Sequence, residues 1–250
     1  MNSRQQQIVQ LLTERRELTV QELSAHFAVA PMTIRRDLEL LEHAQALTRT
    51  HGGAMISRRL TVEFAFQERT LDRLAEKQAI ACAAASLVEP GMTLLLDTGT
   101  TTLEVAKAIA HVPRLRVLTS SLAIASTLYA QENIELILLG GHVRQSVPDL
   151  YGPLTEDNLR QFHTQMVIIG ADAARPTGAY ASDLHVANVS RAAIANTDAT
   201  ILVVDSTKFT RYSFALFAEW SQITHLITDD RLDPQNAEWL RQSGVRVRCV

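Results

Sequence analysis

The amino-acid sequence predicts an α/β protein of two domains, and three features of its 250 residues carry that prediction. Apolar residues recur at helical spacing through roughly the first fifty positions. From residue 73 onward, short runs of Leu, Ile and Val alternate with helical stretches. Hydrophobic residues make up 46% of the chain and charged residues 20%, a balance typical of folded globular proteins. We therefore expect domains at residues 1–57 and 73–250, joined by a linker at residues 58–72.

The N-terminal domain is predicted to contain three short helices that share one core. Their apolar stripes are formed by Ile8, Leu11 and Leu12, by Val20, Leu23 and Phe27, and by Ile34, Leu38 and Leu41. Thr19 and Glu22 form a capping-box pattern at the second helix, and Pro31 suits the first turn of the third. Residues 46–55 (ALTRTHGGAM) then predict a two-stranded wing with a glycine turn. Together these elements form a winged helix-turn-helix pattern.

The third helix is predicted to present two arginines away from this core. At about 100° per residue, Arg36 points nearly opposite the apolar stripe. Arg35 and Thr33 lie on either side of this outer face. Arginine pairs bidentately with guanine and phosphate, so this face suits a nucleic-acid groove. Asp37 is expected to pair within the domain, because a carboxylate that faced phosphates would repel them. Residues 1–59 support this interpretation, since their eight Arg and six acidic residues give a net charge of +2, against -5 for the rest.

The larger domain is predicted to be a Rossmann-like, mostly parallel sheet with helices on both faces. Six buried strands are expected at MTLLLD, LRVLTS, IELILLG, MVIIGAD, ATILVVD and THLITDD. Helices are expected at RLAEKQAIACAAASLV, TLEVAKAIA, LAIASTLYA, LTEDNLRQF, HVANVSRAAIA and PQNAEWLRQSG. The alternation of strand and helix is what places parallel strands side by side.

Polar residues and glycines follow several of these strands, where their carboxyl ends would converge. The loop after Asp97 opens a helix whose free N–H groups and dipole favour an anion. Lys208 would supply charge for a phosphate, and Asp97 or Asp172 would accept hydrogen bonds from sugar hydroxyls. Neither GxGxxG nor the P-loop pattern is present, which disfavours a dinucleotide site. The predicted pocket residues are Asp97, Thr98, Gly99, Thr100, Thr101, Thr102, Thr119, Ser120, Gly140, Gly141, Asp172 and Lys208.

The remaining titratable residues give weaker signals. Arg144 follows a glycine pair, and a surface arginine is favoured over an anion ligand. Three histidines lack metal-ligand spacing and are interpreted as structural or solvated, namely His142, His163 and His185. Cys82 and Cys249 are too few for a disulfide framework or a zinc site, which favours a reducing cytoplasm. No metal site, catalytic residue, signal peptide or membrane span is expected.

The sequence at this point resembles a known family. TVQELSAHFAVAPMTIRRDLELLE followed by TRTHGGA looks like the DNA-binding signature of the DeoR-type bacterial transcriptional regulators. DTGTTT, LLGG, IIGAD and DSTKF are similar to motifs of that family's effector domain, and the resemblance extends over essentially the whole chain. It implies Thr33, Arg35 and Arg36 as DNA contacts, with Arg49 and His51 as wing contacts.

The resemblance also implies a function and a set of partners. We expect a repressor of a sugar-utilisation operon that binds operator DNA as a homo-oligomer, a dimer or a tetramer. A phosphorylated sugar, held in a domain similar in fold to ribose-5-phosphate isomerase, would release it without any cofactor. The chain departs from the family pattern at Ala30, where serine is usual, at Ser120, where asparagine is common, and at Val186 and Ser190, where acidic and lysine residues are common.

Two alternatives to this function remain open. The first is an isomerase-like enzyme with a fused DNA-binding head, in which Asp97, Asp172 and Lys208 act as acid–base groups. A helix-turn-helix domain has no role in such an enzyme, and the pocket offers no evident catalytic glutamate. The second is a DNA-binding scaffold whose pocket has lost its ligand, suggested by the departures at Ser120, Val186 and Ser190.

Overall fold

The backbone contacts divide the chain into two units. A computed structural model describes residues 3–44, 46–56, 66–145 and 147–250. One unit comprises residues 1–69 with 145–147, and the other comprises residues 70–144 and 148–250. The predicted linker at 58–72 falls partly outside the described residues, and residues 66–71 within it are helical.

Helices and an antiparallel sheet make up the described part of the N-terminal unit. Its helices are α1 (Ser3–Arg15), α2 (Val20–Phe27) and α3 (Pro31–His43), and its strands are β1 (Glu17–Thr19), β2 (Leu47–Arg49) and β3 (Gly53–Ile56). The strand order is β1-β3-β2, so that β3 is central. The predicted wing is therefore confirmed as β2 and β3. Strand β1 was not predicted, since three residues are too short to show a period.

The three predicted apolar stripes meet in one core, where Ile8, Leu23 and Ile34 are among the fully buried side chains. The capping box at α2 is confirmed: the N–H of Glu22 donates to Thr19 Oγ1 over 3.1 Å, and the N–H of Thr19 donates to the Glu22 carboxylate over 2.7 Å. These bonds from Thr19 lower the pKa of Glu22. Local sequence thus sets where α2 begins.

The two wing glycines have different roles. Gly52 has open space around it, as a turn residue does. A Cβ on Gly53 would lie only 2.1 Å from the carbonyl oxygen of Leu18, because β3 pairs with β1 at this point. Packing between strands, rather than turn geometry, therefore requires glycine at position 53.

A parallel sheet of seven strands forms the centre of the second unit. These strands are β4 (Thr93–Leu96), β5 (Leu115–Thr119), β6 (Ile134–Leu138), β9 (Thr164–Ile169), β12 (Thr197–Val203), β14 (His225–Thr228) and β15 (Arg246–Cys249). Their order in the sheet is β15-β14-β12-β9-β4-β5-β6. The helices of this unit are α4 (Leu74–Ala85), α5 (Thr100–Ile109), α6 (Leu122–Leu128), α7 (Pro153–Leu159), α8 (Leu184–Ile194) and α9 (Pro234–Gln242). The Rossmann-like prediction is confirmed, because the chain order of the strands reverses between β4 and β9.

Three parts of this unit were not predicted. Strand β15 pairs with β14 at the sheet edge, and its side chains are mostly exposed, so it lacks the continuous apolar run of a buried strand. Two short antiparallel pieces are also present: the ribbon β7 (His142–Val143) with β8 (Leu150–Tyr151), and the sheet of β10 (Ala173–Arg175), β11 (Gly178–Ala181) and β13 (Ala215–Ala218). Among the described residues, no helix is long and apolar enough to cross a membrane.

Candidate nucleic-acid interface and anion site

Helix α3 has one face packed in the core and one face exposed. Ile34 and Leu38 are buried, whereas Arg35 and Arg36 are exposed and Thr33 is half-buried. Its N-cap is Ala30, which has no side chain able to accept a hydrogen bond from the first turn. The helix therefore presents two guanidinium groups beside an uncapped N-terminus, an arrangement suited to phosphates and base edges.

Asp37 pairs inside the domain, as the sequence predicts. Its side chain is buried, and it accepts hydrogen bonds from Arg4 Nε over 2.6 Å and from Gln5 Nε2 over 3.1 Å. Both donors belong to the first turn of α1. The carboxylate therefore joins α1 to α3 instead of facing outward beside Arg36.

The wing residues Arg49 and His51 are both exposed. The backbone N–H of Arg49 donates to the Glu42 carboxylate over 3.1 Å, and the Arg49 guanidinium lies 3.8 Å from the same carboxylate. Glu42 belongs to α3, so this contact ties the wing to the arginine-bearing helix. The DNA contacts expected of Arg49 and His51 stay predictions.

In the second unit, helix α5 begins at the carboxyl end of β4, beside the point where the strand order reverses. Its N-cap is Gly99, with a φ of 141° that side-chain-bearing residues rarely adopt. A glycine has no side chain to cap the first N–H groups of the helix, which leaves them for another acceptor. Thr98 and Thr100 are half-buried around this start, whereas Thr101 is buried.

The buried carboxylate of Asp97 immediately precedes this loop. Burial raises the pKa of Asp97 from its usual 3.8 to about 7; the N–H of Thr98 opposes this rise, and the charge of Asp149 adds to it. Asp97 therefore titrates near neutral pH, and its protonated form can donate as well as accept a hydrogen bond.

Arg144 is not a surface arginine, and the favoured interpretation of this residue is wrong. Its side chain is only 18% exposed and forms a two-point ion pair with the buried Asp149, which includes an Nε to Oδ1 bond of 2.8 Å. Burial lowers the pKa of Arg144, but the bonds to Asp149 and the charges of Asp183 and Asp172 outweigh it and raise that pKa. A pairing between residues that flank a short ribbon leaves no signal in helical or strand periodicity.

Asp172 lies at the carboxyl end of β9 and is exposed. It accepts hydrogen bonds from the N–H of Ser182 over 2.8 Å and from its hydroxyl over 2.7 Å. The structure thus gathers Asp97, Arg144, Asp149 and Asp172 closely enough for their charges to interact. In the described part of the chain, no three acidic, His or Cys side chains are arranged to hold a metal ion.

Lys208 has a second lysine as its neighbour. It belongs to a 3₁₀ turn, Ser206–Phe209, that follows β12, and Lys77 belongs to α4. Burial lowers the pKa of Lys77; Asp205 opposes this, and the charge of Lys208 adds to it. The charge of Glu104, a residue of α5, also acts on Lys77. Sequence reasoning missed Lys77, although a lysine in an alanine-rich helix was a usable signal.

Several predicted pocket hydroxyls are engaged inside the fold. The Thr102 hydroxyl donates to the carbonyl of Gly99 over 3.0 Å. The Thr119 hydroxyl is fully buried and donates to the carbonyl of Leu96 over 2.8 Å, which joins β5 to β4. Ser120 is also buried. The Thr102 and Thr119 hydroxyls therefore bond to backbone within the fold, and the roles of these residues as ligands stay predictions.

The glycine pair packs against helix α7. The carbonyl of Gly140 accepts a hydrogen bond from the Thr155 hydroxyl over 2.7 Å. A Cβ on Gly141 would lie 2.1 Å from that same hydroxyl oxygen and 2.8 Å from the carbonyl of Tyr151. Close packing therefore accounts for glycine at position 141, and a ligand contact at either glycine stays a prediction.

Comparison with known families matches both units. The DeoR-like helix-turn-helix domain matches residues 4–59, and the DeoR C terminal sensor domain matches residues 72–230. The second match alone covers more than half of the chain. It includes the start of α5 and both lysines described above.

Two known repressors resemble the chain along most or all of its length. It is 32% identical to a putative aga operon transcriptional repressor of Escherichia coli O157:H7, over 100% of this chain and 94% of that protein. It is 33% identical to the glycerol-3-phosphate regulon repressor of Escherichia coli K12, over 89% of this chain and 88% of that one. The solved ribose 5-phosphate isomerase of Plasmodium falciparum superposes with a TM-score of 0.40 and 16% identity, over 53% of this chain and 52% of that one.

Proposed function

The chain belongs to the DeoR family of transcriptional regulators, and we propose that it represses a sugar-utilisation operon until a phosphorylated sugar releases it from its operator. The proposal describes a regulator and not an enzyme. Its partners are double-stranded operator DNA in the cytoplasm, a sugar-phosphate effector and further copies of the same chain.

The observation that carries the proposal is the exposed arginine pair on α3. Arg35 and Arg36 extend from a helix whose other face is fixed in the core by Ile34 and Leu38. A rigid helix that presents guanidinium groups is the element that enters a major groove. Each arginine that pairs bidentately with guanine discriminates against a wrong base by about 1–3 kcal/mol.

The start of α5 supports the proposal of a phosphate effector. The helix is capped by Gly99, so its first N–H groups are left for an external acceptor, and the helix dipole favours a negative charge there. Lys208 and Lys77 are close enough for their charges to interact, and the proposal places this positive charge beside the phosphate. A phosphate dianion is the ligand that satisfies both features.

The acidic groups beside this loop support a ligand with hydroxyl groups. Asp97 and Asp172 lie at the carboxyl ends of β4 and β9, which are neighbours in the sheet. Carboxylates accept hydrogen bonds from the hydroxyl groups of a sugar. A phosphate at the α5 start and hydroxyls at the two carboxylates together describe a sugar phosphate.

Regulation requires that the effector bind the DNA-free form more tightly than the DNA-bound form. A coupling of about 1–3 kcal/mol between the two sites changes operator affinity about 5- to 150-fold. A symmetric oligomer would place two recognition helices on half-sites about one helical turn apart, or a multiple of it.

Two experiments with the purified full chain test the proposal. The first selects the genomic DNA fragments that the protein binds, and the second titrates the selected complex with a panel of sugar phosphates. We expect enrichment of a fragment with two related half-sites, and loss of binding with one member of the panel. If no fragment is enriched, DNA recognition is refuted. If a fragment is enriched but no sugar phosphate weakens its binding, the sensor half of the proposal fails.

A further inference from the structure

Arg4 of α1 is held against the arginine-bearing helix by a buried carboxylate. Its Nε donates to Asp37 Oδ2 over 2.6 Å, and Asp37 is only 4% exposed. Gln5 Nε2 donates to the other carboxylate oxygen over 3.1 Å. Both oxygens of Asp37 are therefore engaged by α1, which defines the orientation of the Arg4 side chain relative to α3.

This contact lies on the flank of the surface that is proposed to face DNA. Asp37 is four residues after Thr33, and residues four apart lie on the same side of a helix one turn from each other. Arg36 is its sequence neighbour on the exposed face. Asp37 itself is buried and lies between the Ile34 stripe and Thr33 around the helix, so the guanidinium that binds it lies at the border between the packed and exposed sides of α3.

Arg4 also has donors left over for a second partner. A guanidinium has five N–H groups, and Asp37 binds the one on Nε. The side chain is 32% exposed, so its outer edge is accessible to solvent. Because a buried ion pair contributes little net stability compared with apolar packing, orienting this guanidinium is a better account of the pair than stabilising the fold.

We infer that Arg4 contacts a DNA phosphate and that Asp37 is the residue that positions it. This inference rests on the proposed DNA-binding function and adds a residue outside the recognition helix and wing. The contact is independent of base sequence, so it contributes to affinity and to its salt dependence but does not discriminate between sequences.

Binding to a short DNA duplex of arbitrary sequence, measured by fluorescence anisotropy at several salt concentrations, tests the inference. Two variants of the full chain are compared with the wild type. Arg4→Ala removes the guanidinium. The double variant, Arg4→Ala with Asp37→Asn, also removes the charge that would be left buried and so keeps the net charge of the protein. Urea unfolding of each variant shows whether the fold is retained.

We expect the slope of log affinity against log salt to fall by about 0.9 for each Arg4 engaged, in both variants. Arg15→Ala serves as the control, because it removes the same charge from the other end of α1, about 16 Å along the helix axis, and should leave the slope unchanged.

A double variant with the wild-type slope overturns the inference, since a phosphate contact is lost whatever the net charge. A slope that falls equally in Arg15→Ala also overturns it, because the effect is then general electrostatics. If the wild-type chain does not bind the duplex at any salt concentration, the proposed DNA-binding function fails instead.

Discussion

Helices α3 and α5 both begin without a side-chain cap, yet the two starts are built differently. The N-cap of α3 is Ala30, and exposed arginines follow it; the N-cap of α5 is Gly99, and buried or half-buried threonines follow it. At α3 the charge is carried by side chains in water. At α5 it is carried by backbone N–H groups next to the buried carboxylate of Asp97. The first site should therefore respond mainly to salt, and the second mainly to protonation.

Removal of a recognition-helix arginine is expected to have the largest effect. Arg36→Ala should weaken specific operator binding by about 1–3 kcal/mol for each recognition helix engaged, because a bidentate base contact is lost. Effector binding should not change, since the variant lies in the other unit. Operator affinity by gel shift and effector-induced stabilisation by thermal unfolding measure the two quantities.

Arg241→Ala is the matched control for Arg36→Ala, because Arg241 is exposed on α9 of the second unit. It should leave operator affinity unchanged. Equal losses of operator affinity in the two variants would mean that α3 has no special role in DNA binding. The proposed difference between the starts of α3 and α5 would then be wrong for α3.

The protonation of Asp97 should make the stability of the second unit depend on pH. Its pKa is raised from 3.8 to about 7 on folding, so the folded state binds more protons than the unfolded state between these values. The contribution of Asp97 to the free energy of unfolding is therefore fully present below about pH 4, and this contribution is lost as the pH rises through about 7. The loss attributable to this group has an upper limit on the order of 4 kcal/mol.

Urea unfolding of wild type and Asp97→Asn from about pH 5 to about pH 8 measures this loss. The variant should be less sensitive to pH than the wild type over this range, since an amide does not ionise but still accepts a bond from Thr98. Asp157→Asn, at an exposed aspartate of α7, is the control and should retain the wild-type profile. Parallel profiles for wild type and Asp97→Asn would contradict the prediction.

Lys208→Ala is expected to weaken sugar-phosphate binding by about 1.5–3 kcal/mol, the range for hydrogen bonds to charged groups. Specific DNA binding in the absence of effector should be retained. Ligand-dependent shifts of the unfolding temperature with the panel of sugar phosphates provide the measurement.

Lys107→Ala, at the other end of α5, is the control for Lys208→Ala. Lys107 forms an ion pair with Glu104 over 2.6 Å, away from the helix start. If Lys107→Ala weakens sugar-phosphate binding as much as Lys208→Ala does, the positive charge of Lys208 acts at long range and not at the α5 start.

Capping of the recognition helix should have the smallest effect. Ala30→Ser places a hydroxyl where the first turn of α3 has no side-chain acceptor, and should stabilise the N-terminal unit by about 1 kcal/mol. Urea unfolding measures the change, with Ala44→Ser at the C-cap of α3 as a control that should give no gain. A variant no more stable than wild type would show that the first N–H groups of α3 already have acceptors in their surroundings.

Much of the fold was predictable because its signals are local. The apolar stripes of α1, α2 and α3, the capping box of Thr19 with Glu22 and the six apolar strands all involve residues close together in sequence. The outward position of Arg35 and Arg36 follows from the same periodicity. Apolar periodicity did not predict β1 and β15, because β1 is only three residues long and β15 is mostly exposed.

The sequence by itself determined the family, the two-domain organisation and the identity of the loop that begins α5. Only the tertiary structure decided how polar side chains pair: Arg4 with Asp37, 33 residues away, and Thr119 with the carbonyl of Leu96, 23 residues away. The physical reason is that periodicity and capping depend on neighbours within one or two turns of the chain. The partner of a buried polar group is set by which distant segments the core brings together, since burial requires that some partner be found.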